Sequence, residues 1–131
     1  MTRLQHYFGS EEGFTLIELL TALAVVAVLV TIAVPAYLAF TGRARDTASK
    51  ADVRAAVVSV EAFYSDNNDS YSGLSNAAVR TSYDSSLPAS VSLAAVNGGN
   101  NYCISAAGTG NNVWYFYGPG GSITNAKPIN C

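Results

Sequence analysis

Charge is what this chain lacks most. Of its 131 residues only 12% are Asp, Glu, Lys or Arg, about half the usual ~25% share. Seven basic residues stand against nine acidic ones, for a net charge of -2. A general nucleic-acid binder needs clustered cations to neutralise phosphates, so no such binding is expected. Histidine is nearly absent: His6 is alone. Cysteine occurs twice, at Cys103 and Cys131. That inventory is too thin for most zinc sites, so no metal is expected. No glycine loop suited to a nucleotide phosphate occurs, and no cofactor is expected. Low net charge and 11% aromatics also argue against a disordered chain.

What is present is concentrated at one end. Residues 19–42 contain no charged residue, a run of 24. Crossing a membrane takes ~20 mostly apolar residues, so this run is read as a membrane segment. A secretory signal peptide has an apolar stretch of only ~7–15 residues before a small-residue cleavage site. This stretch is longer and continues into a helical pattern, so it is expected to stay on the mature protein. A polar leader, residues 1–13, precedes it.

The order of elements is leader, Gly13, Phe14, three residues, Glu18, the apolar run, and Pro35 inside it. The octet Gly13-Phe14-Thr15-Leu16-Ile17-Glu18-Leu19-Leu20 resembles the prepilin signature of type IV pilins and of the related pseudopilins of type II secretion. The resemblance covers roughly residues 9–65 and includes Pro35; residues 66–131 match in outline. It implies cleavage after Gly13 by a membrane peptidase, which also methylates the new amine of Phe14. It implies as partners that peptidase/methyltransferase, the inner-membrane assembly machinery, membrane lipid before assembly, and further copies of the chain in a helical polymer.

The leader departs from the family in having Glu11 and Glu12 before Gly13, with Arg3 as its only basic side chain besides His6. Beyond the run lie Arg43, Arg45, Lys50 and Arg54. Counting Lys and Arg alone, the positive-inside rule favours the opposite orientation. The leader is placed in the cytoplasm on the resemblance and on the cysteines.

Glu18 admits three readings. A carboxylate inside an apolar membrane segment costs several kcal/mol unless it is paired or reaches the interface. It can snorkel, lying four residues from Phe14. It can complete a capping box, since Thr15-x-x-Glu18 has that spacing. After cleavage it can also pair with the Phe14 amine of a neighbouring subunit and set axial register. With the octet and the resemblance, this third role for Phe14 and Glu18 is the expectation. Pro35 removes a backbone bond and clashes with the preceding turn, so a kink is expected there.

Beyond Pro35 the helix pattern is amphipathic. One row is Ala44, Ala48, Ala51, Ala55, Val58 and Ala62; a second is Val53, Val57, Val60 and Tyr64. Together they predict a wide stripe packed on a sheet. Asp46 and Lys50 have the spacing of an i,i+4 pair. The helix is expected over 14–65, with 14–40 as membrane or filament-core segment and 41–65 as amphipathic segment.

Residues 66–131 form the expected head. Residues 66–88 read as a polar connection with one short helix near 74–80. Alternation at Val91, Leu93 and Ala95, then at Tyr102, Ile104 and Ala106, predicts two strands separated by a turn at 97–100. A second turn at 108–111 leads to the aromatic strand 113–117, with bulk on both faces. The fold class is α+β: a long N-terminal helix with a small antiparallel sheet of three or four strands on its second half.

A head of ~60 residues is marginal alone. A Cys103–Cys131 bridge would close a 29-residue loop and restrict the unfolded chain by roughly 3.5 kcal/mol; two free buried thiols are the alternative. The resemblance favours the bridge, which in turn places the head in an oxidising compartment. Asp66-x-Asn68-x-Ser70 imitates the start of a Ca²⁺ loop, but Tyr71 and Ala77 stand where Gly and Glu belong, so a helix-terminating turn is expected. Asn68-Asp69-Ser70 is a formal glycosylation triplet.

The expected function is a structural subunit of a type IV pilus-like surface filament, not an enzyme. It would cross the cell membrane once with its head outside, then join the filament. A pseudopilin of a type II secretion system is the near alternative. A monomeric membrane-tethered binding module or enzyme is the distant one. Major or minor rank, and a role in adhesion, motility or DNA uptake, are not written in the residues.

Overall fold

The computed structural model describes residues 13–131. The leader residues 1–12, with Arg3, His6, Glu11 and Glu12, lie outside the described residues. Helix α1 spans Leu16–Asp66, one residue past the expected end. Two compact units divide the chain, the first ending at Tyr37 and the second covering Leu38–Cys131.

In the first unit the apolar side chains are exposed throughout. α1 is long and apolar enough to cross a membrane. Its threonines do not break that character, because each hydroxyl bonds back to the helix's own carbonyls. Thr21 donates to Glu18 O at 3.0 Å and Thr31 to Val28 O at 2.7 Å. Such back-bonding satisfies a hydroxyl where water is absent. Pro35 lies within the continuous α1.

The second unit holds the core. After α1 comes a turn in which Asn68 and Asp69 adopt φ of 52° and 54°. The Asp69 N–H donates to Tyr64 O at 3.1 Å, and Asn67 Nδ2 bridges to the carbonyls of Ser70 and Ser72. Asn and Asp tolerate the left-handed conformation, so the triplet that resembles a Ca²⁺ loop serves to end the helix. Helix α2 is Asn76–Ser82, two residues later than predicted. Its start is set by Ser75, whose Oγ accepts the Ala78 N–H at 3.2 Å, an ordinary serine N-cap.

Three strands follow: β1 Ser92–Val96, β2 Asn101–Ala107 and β3 Val113–Gly118. They form an antiparallel meander in the order β1-β2-β3. Tyr115 also pairs with Thr124 in an isolated bridge; that short pairing stands where a fourth strand was allowed for. The register sets Leu93 opposite Ile104, and Ile104 opposite Phe116. Leu93, Tyr102, Ile104 and Ala106 therefore share one face, which packs with Val53, Ala56 and Val60 of α1, while Trp114 and Phe116 flank the core. Period-two alternation delivers this face. Tyr102 lies opposite Gly118, and a Cβ at Gly118 would collide with the Tyr102 ring. That glycine admits the largest side chain of β2.

The stripe that α1 packs on the sheet is narrower than its two apolar rows predict. The row Val53, Val57, Val60, Tyr64 does face the head, joined by Ala56. The row Ala44, Ala48, Ala51, Ala55, Val58, Ala62 does not: all six are exposed, Val58 at 72%. A three-stranded sheet covers only one side of a helix ~10 Å wide. Small residues on the opposite side look apolar in sequence, yet they stay exposed among the described residues. Ser49 and Ser59, polar in sequence, are buried instead. Ser49 Oγ donates to Ala107 O at 2.6 Å, which joins α1 to the end of β2.

Candidate functional site

The octet lies at the start of α1. Thr15 directly precedes the first helical residue, where the helix leaves its first N–H groups unpaired. The Glu18 N–H donates to Thr15 Oγ1 at 3.3 Å. In return Glu18 Oε2 accepts the Thr15 N–H at 2.9 Å and the Thr15 hydroxyl at 2.7 Å. This is a reciprocal capping box. Of the three readings of Glu18, this one is formed within the chain itself; snorkelling involves a membrane and amine pairing a second copy. Both Thr15 bonds reach Oε2; Glu18 Oε1 has no hydrogen-bond partner among the described residues. Gly13, Phe14, Thr15 and Glu18 line one open cleft. Phe14 is 89% exposed. The structure thus brings together the residues of the expected cleavage, methylation and assembly steps, while Pro35 belongs to the helix body.

The second unit contains a bridge and several polar ties between α1 and the rest of the head. Cys103 and Cys131 are disulfide-bonded, with Cα atoms 5.7 Å apart. Cys103 is paired with Tyr117, on the sheet face opposite the core, where the chain end lies across it. Glu61 on α1 accepts two phenols: Tyr71 Oη donates to Oε2 at 3.0 Å and Tyr102 Oη to Oε1 at 2.8 Å. Both tyrosines are buried, and their rings touch at a tilt of 56° with centroids 4.6 Å apart. Burial, reinforced by the Glu61 carboxylate, pushes the Tyr71 phenol up to about 12 and the Tyr102 phenol higher still. Tyr71 and Tyr102 lie 10 and 41 residues from Glu61 in the chain, so no local pattern joins the three.

Asp46 and Lys50, expected as an i,i+4 pair, make no direct ion-pair contact, and Lys50 acts on the Asp46 carboxyl only as a minor charge nearby. Asp46 Oδ1 instead accepts the Thr109 N–H from the β2–β3 turn at 2.7 Å, and that amide holds its carboxyl below the ordinary value. Lys50 Nζ sits 3.9 Å from the centre of the Trp114 ring, a cation–π contact. A backbone amide held by the fold and an aromatic face at fixed range outcompete a solvated i,i+4 pair worth only a few tenths of a kcal/mol. Neither partner is near in sequence. Trp114 and Phe116 belong to the core side of β3, so the aromatic strand is first a packing element. Among the described residues no cluster of three His, Cys, Asp or Glu side chains stands close enough to hold a metal ion.

Comparison with known proteins addresses the whole chain. The family described as the prokaryotic N-terminal methylation motif matches residues 9–34. The "Type IV wide pilus major component PilA4" of Thermus thermophilus is 36% identical over 129 residues, which take in 92% of this chain and 96% of that protein. The "Type IV major pilin protein PilA" of Myxococcus xanthus is 31% identical over 74 residues, 56% of this chain and 33% of that longer protein. No solved structure matches. The first of these relatives is similar over nearly its whole length, head included, and the methylation motif falls on the octet; the chain belongs to the type IV pilin family.

Proposed function

We propose that this chain is a structural subunit of a type IV pilus, cut after Gly13, methylated on the Phe14 amine, and assembled through the N-terminal half of α1. The observation that carries the reading is similarity to a pilus major component along almost the entire chain. Two features support the chemistry at the octet. Gly13 has open space around it and precedes α1, so no described side chain or helical backbone blocks a peptidase there. Phe14 and Glu18 line the same cleft, and Glu18 Oε1 remains available to an amine from another copy.

Before assembly the apolar half of α1 would lie in the cell membrane with the head outside. After assembly it would lie inside the filament. There an unpaired carboxylate would be costly, and a paired one would select a single axial offset among otherwise similar apolar contacts. The role is one of assembly, not catalysis.

The test is mass spectrometry of the N-terminus in purified surface filaments. A chain beginning at methylated Phe14 is expected. Filaments whose subunits retain residues 1–13 would overturn the reading. Gly13→Leu should block processing and leave the uncut chain in the membrane.

A further inference from the structure

The uncharged run ends at Gly42, and the next three residues with charge are Arg43, Arg45 and Asp46. Both arginines are exposed. They are two residues apart, which is about 200° around a helix and about 3 Å along it. Their side chains therefore leave opposite flanks of α1 at nearly one height. Asp46, the acid beside them, makes no direct ion pair with either; its Oδ1 accepts the Thr109 N–H, and one carboxylate against two guanidinium groups leaves the band net cationic. The next acid on α1 is Asp52, about 10 Å further along from Arg45.

The β2–β3 turn, residues 108–112, reaches the same height. Thr109 Oγ1 donates to Gly42 O at 2.6 Å, and the Asp46 bond holds the adjoining amide. The turn is closed by Gly108 N–H to Asn112 O at 2.8 Å, and Gly110, Asn111 and Asn112 are exposed and uncharged. This end of the second unit is thus a ring, with an arginine on each flank, a neutral polar turn on the head side, and Phe40, 69% exposed, one turn below. A soluble anion or a single protein partner engages one flank of a helix. A plane of phosphates surrounding the helix engages both.

We propose that Arg43, Arg45 and the 108–112 turn form a collar that seats the head on the anionic headgroups of a lipid bilayer before assembly. The inference rests on reading residues 19–42 as a membrane span. It assigns a use to cations on the side of the membrane where the positive-inside rule disfavours them. Attraction to anionic headgroups is worth about fivefold in local association per arginine, and it falls off within a Debye length.

The chain carries its own reporter. Trp114 is the single tryptophan, and a Cβ on Gly108, at the base of the turn, would lie 2.9 Å from its Nε1. The full chain is reconstituted in vesicles with headgroup-nitroxide lipid, either phosphatidylglycerol or phosphatidylcholine, at equal mole fraction. Quenching of Trp114 by the anionic lipid is expected to exceed that by the zwitterionic lipid several-fold at low salt. High salt and the double variant Arg43→Gln/Arg45→Gln should abolish the difference. Each single variant should remove part of it, and Lys127→Gln, at an exposed cation elsewhere, should leave it unchanged. Equal quenching by both lipids in a chain that floats with the vesicles overturns the collar and spares the span. Loss of the whole difference on removing one arginine overturns it in favour of a one-sided site. A greater loss in inorganic phosphate than in chloride of equal ionic strength overturns it in favour of a soluble anion. A chain that does not float overturns span and collar together.

Discussion

The hydroxyl of Tyr102, in the middle strand of the sheet, donates to the carboxylate of Glu61 on α1 across 41 residues of chain. Tyr71 donates to the other oxygen of the same carboxylate. One acidic side chain thereby holds the long helix, the connection after it and the sheet in a single register. The arrangement satisfies two buried phenols that would otherwise lack partners, and hydrogen bonds to a charged acceptor are the stronger kind.

Glu61→Ala should lower the stability of the folded head by about 3 kcal/mol, since it strands two buried phenols, and Glu61→Gln by about 1 kcal/mol. Thermal unfolding of the detergent-solubilised chain measures both. The same site sets an alkaline limit. The Tyr71 phenol has its pKa raised from 10.0 to about 12, and a raised pKa means that the fold favours the protonated form. Its contribution is complete below pH 10 and is lost as pH rises through about 12. Tyrosinate absorbance should therefore report a last group of phenols that ionise together with loss of circular dichroism. Ionisation of all tyrosines near pH 10 with the fold intact would contradict this.

Cys103→Ser should cost roughly 3.5 kcal/mol in the chain-entropy model for a loop of this length. The segment after Gly118 should loosen first, because beyond the bridge the backbone hydrogen bonds that tie it to β3 are those between Tyr115 and Thr124. Denaturant unfolding with and without reductant provides the comparison. Unchanged midpoints in the two conditions would show that the bridge contributes nothing.

Variants of Glu18 separate the two roles its geometry permits. Glu18→Ala removes the capping box, worth ~1 kcal/mol of helix stability, and removes the charge. Glu18→Gln can keep the box, since Gln serves at that position, but loses the charge. If pairing with a neighbour's Phe14 amine directs assembly, filaments should fall sharply in Glu18→Ala and be intermediate in Glu18→Gln, with processed subunit still present in the membrane fraction. Wild-type filament counts in Glu18→Gln together with loss in Glu18→Ala would assign the effect to the cap alone.

Asp46 gives the β2–β3 turn an acid sensitivity. Its pKa is lowered by the Thr109 amide, so the tie contributes above the ordinary carboxyl value of 3.8 and is lost as pH falls below it. Hydrogen-exchange protection of the Thr109 amide should drop in that acid range, and Asp46→Asn should lose much of it already at neutral pH. Equal protection in the two proteins at neutral pH would show that the carboxylate does not hold the turn.

Local signals carried much of this protein. The uncharged run, the octet, the alternation in β1 and β2, and the turn residues between strands can each be read within a window of ten or twenty residues. Their physical causes act over that range: hydropathy, backbone preference and side-chain period. Thr15 and Glu18 belong here too, because a capping box closes within one turn. The Cys103–Cys131 pairing was legible by count, two cysteines allowing one pairing within the chain, and the resemblance favoured a bridge over free thiols.

Tertiary structure decided what depended on distant partners. Both rows on α1 are apolar, and period alone cannot say which one a three-stranded sheet will cover; Val53 and Val60 are buried while Val58 is exposed because the sheet is narrow and meets one side. Asp46 had a cation four residues away and took an amide 63 residues away, because the fold holds that amide in place and leaves Lys50 against an indole. Glu61 has no local pattern that points to a partner; Tyr71 and Tyr102 reach it only through the fold. Where a polar side chain has one partner in sequence and another in space, the partner already fixed by the packed core wins, since it costs no further ordering of flexible side chains.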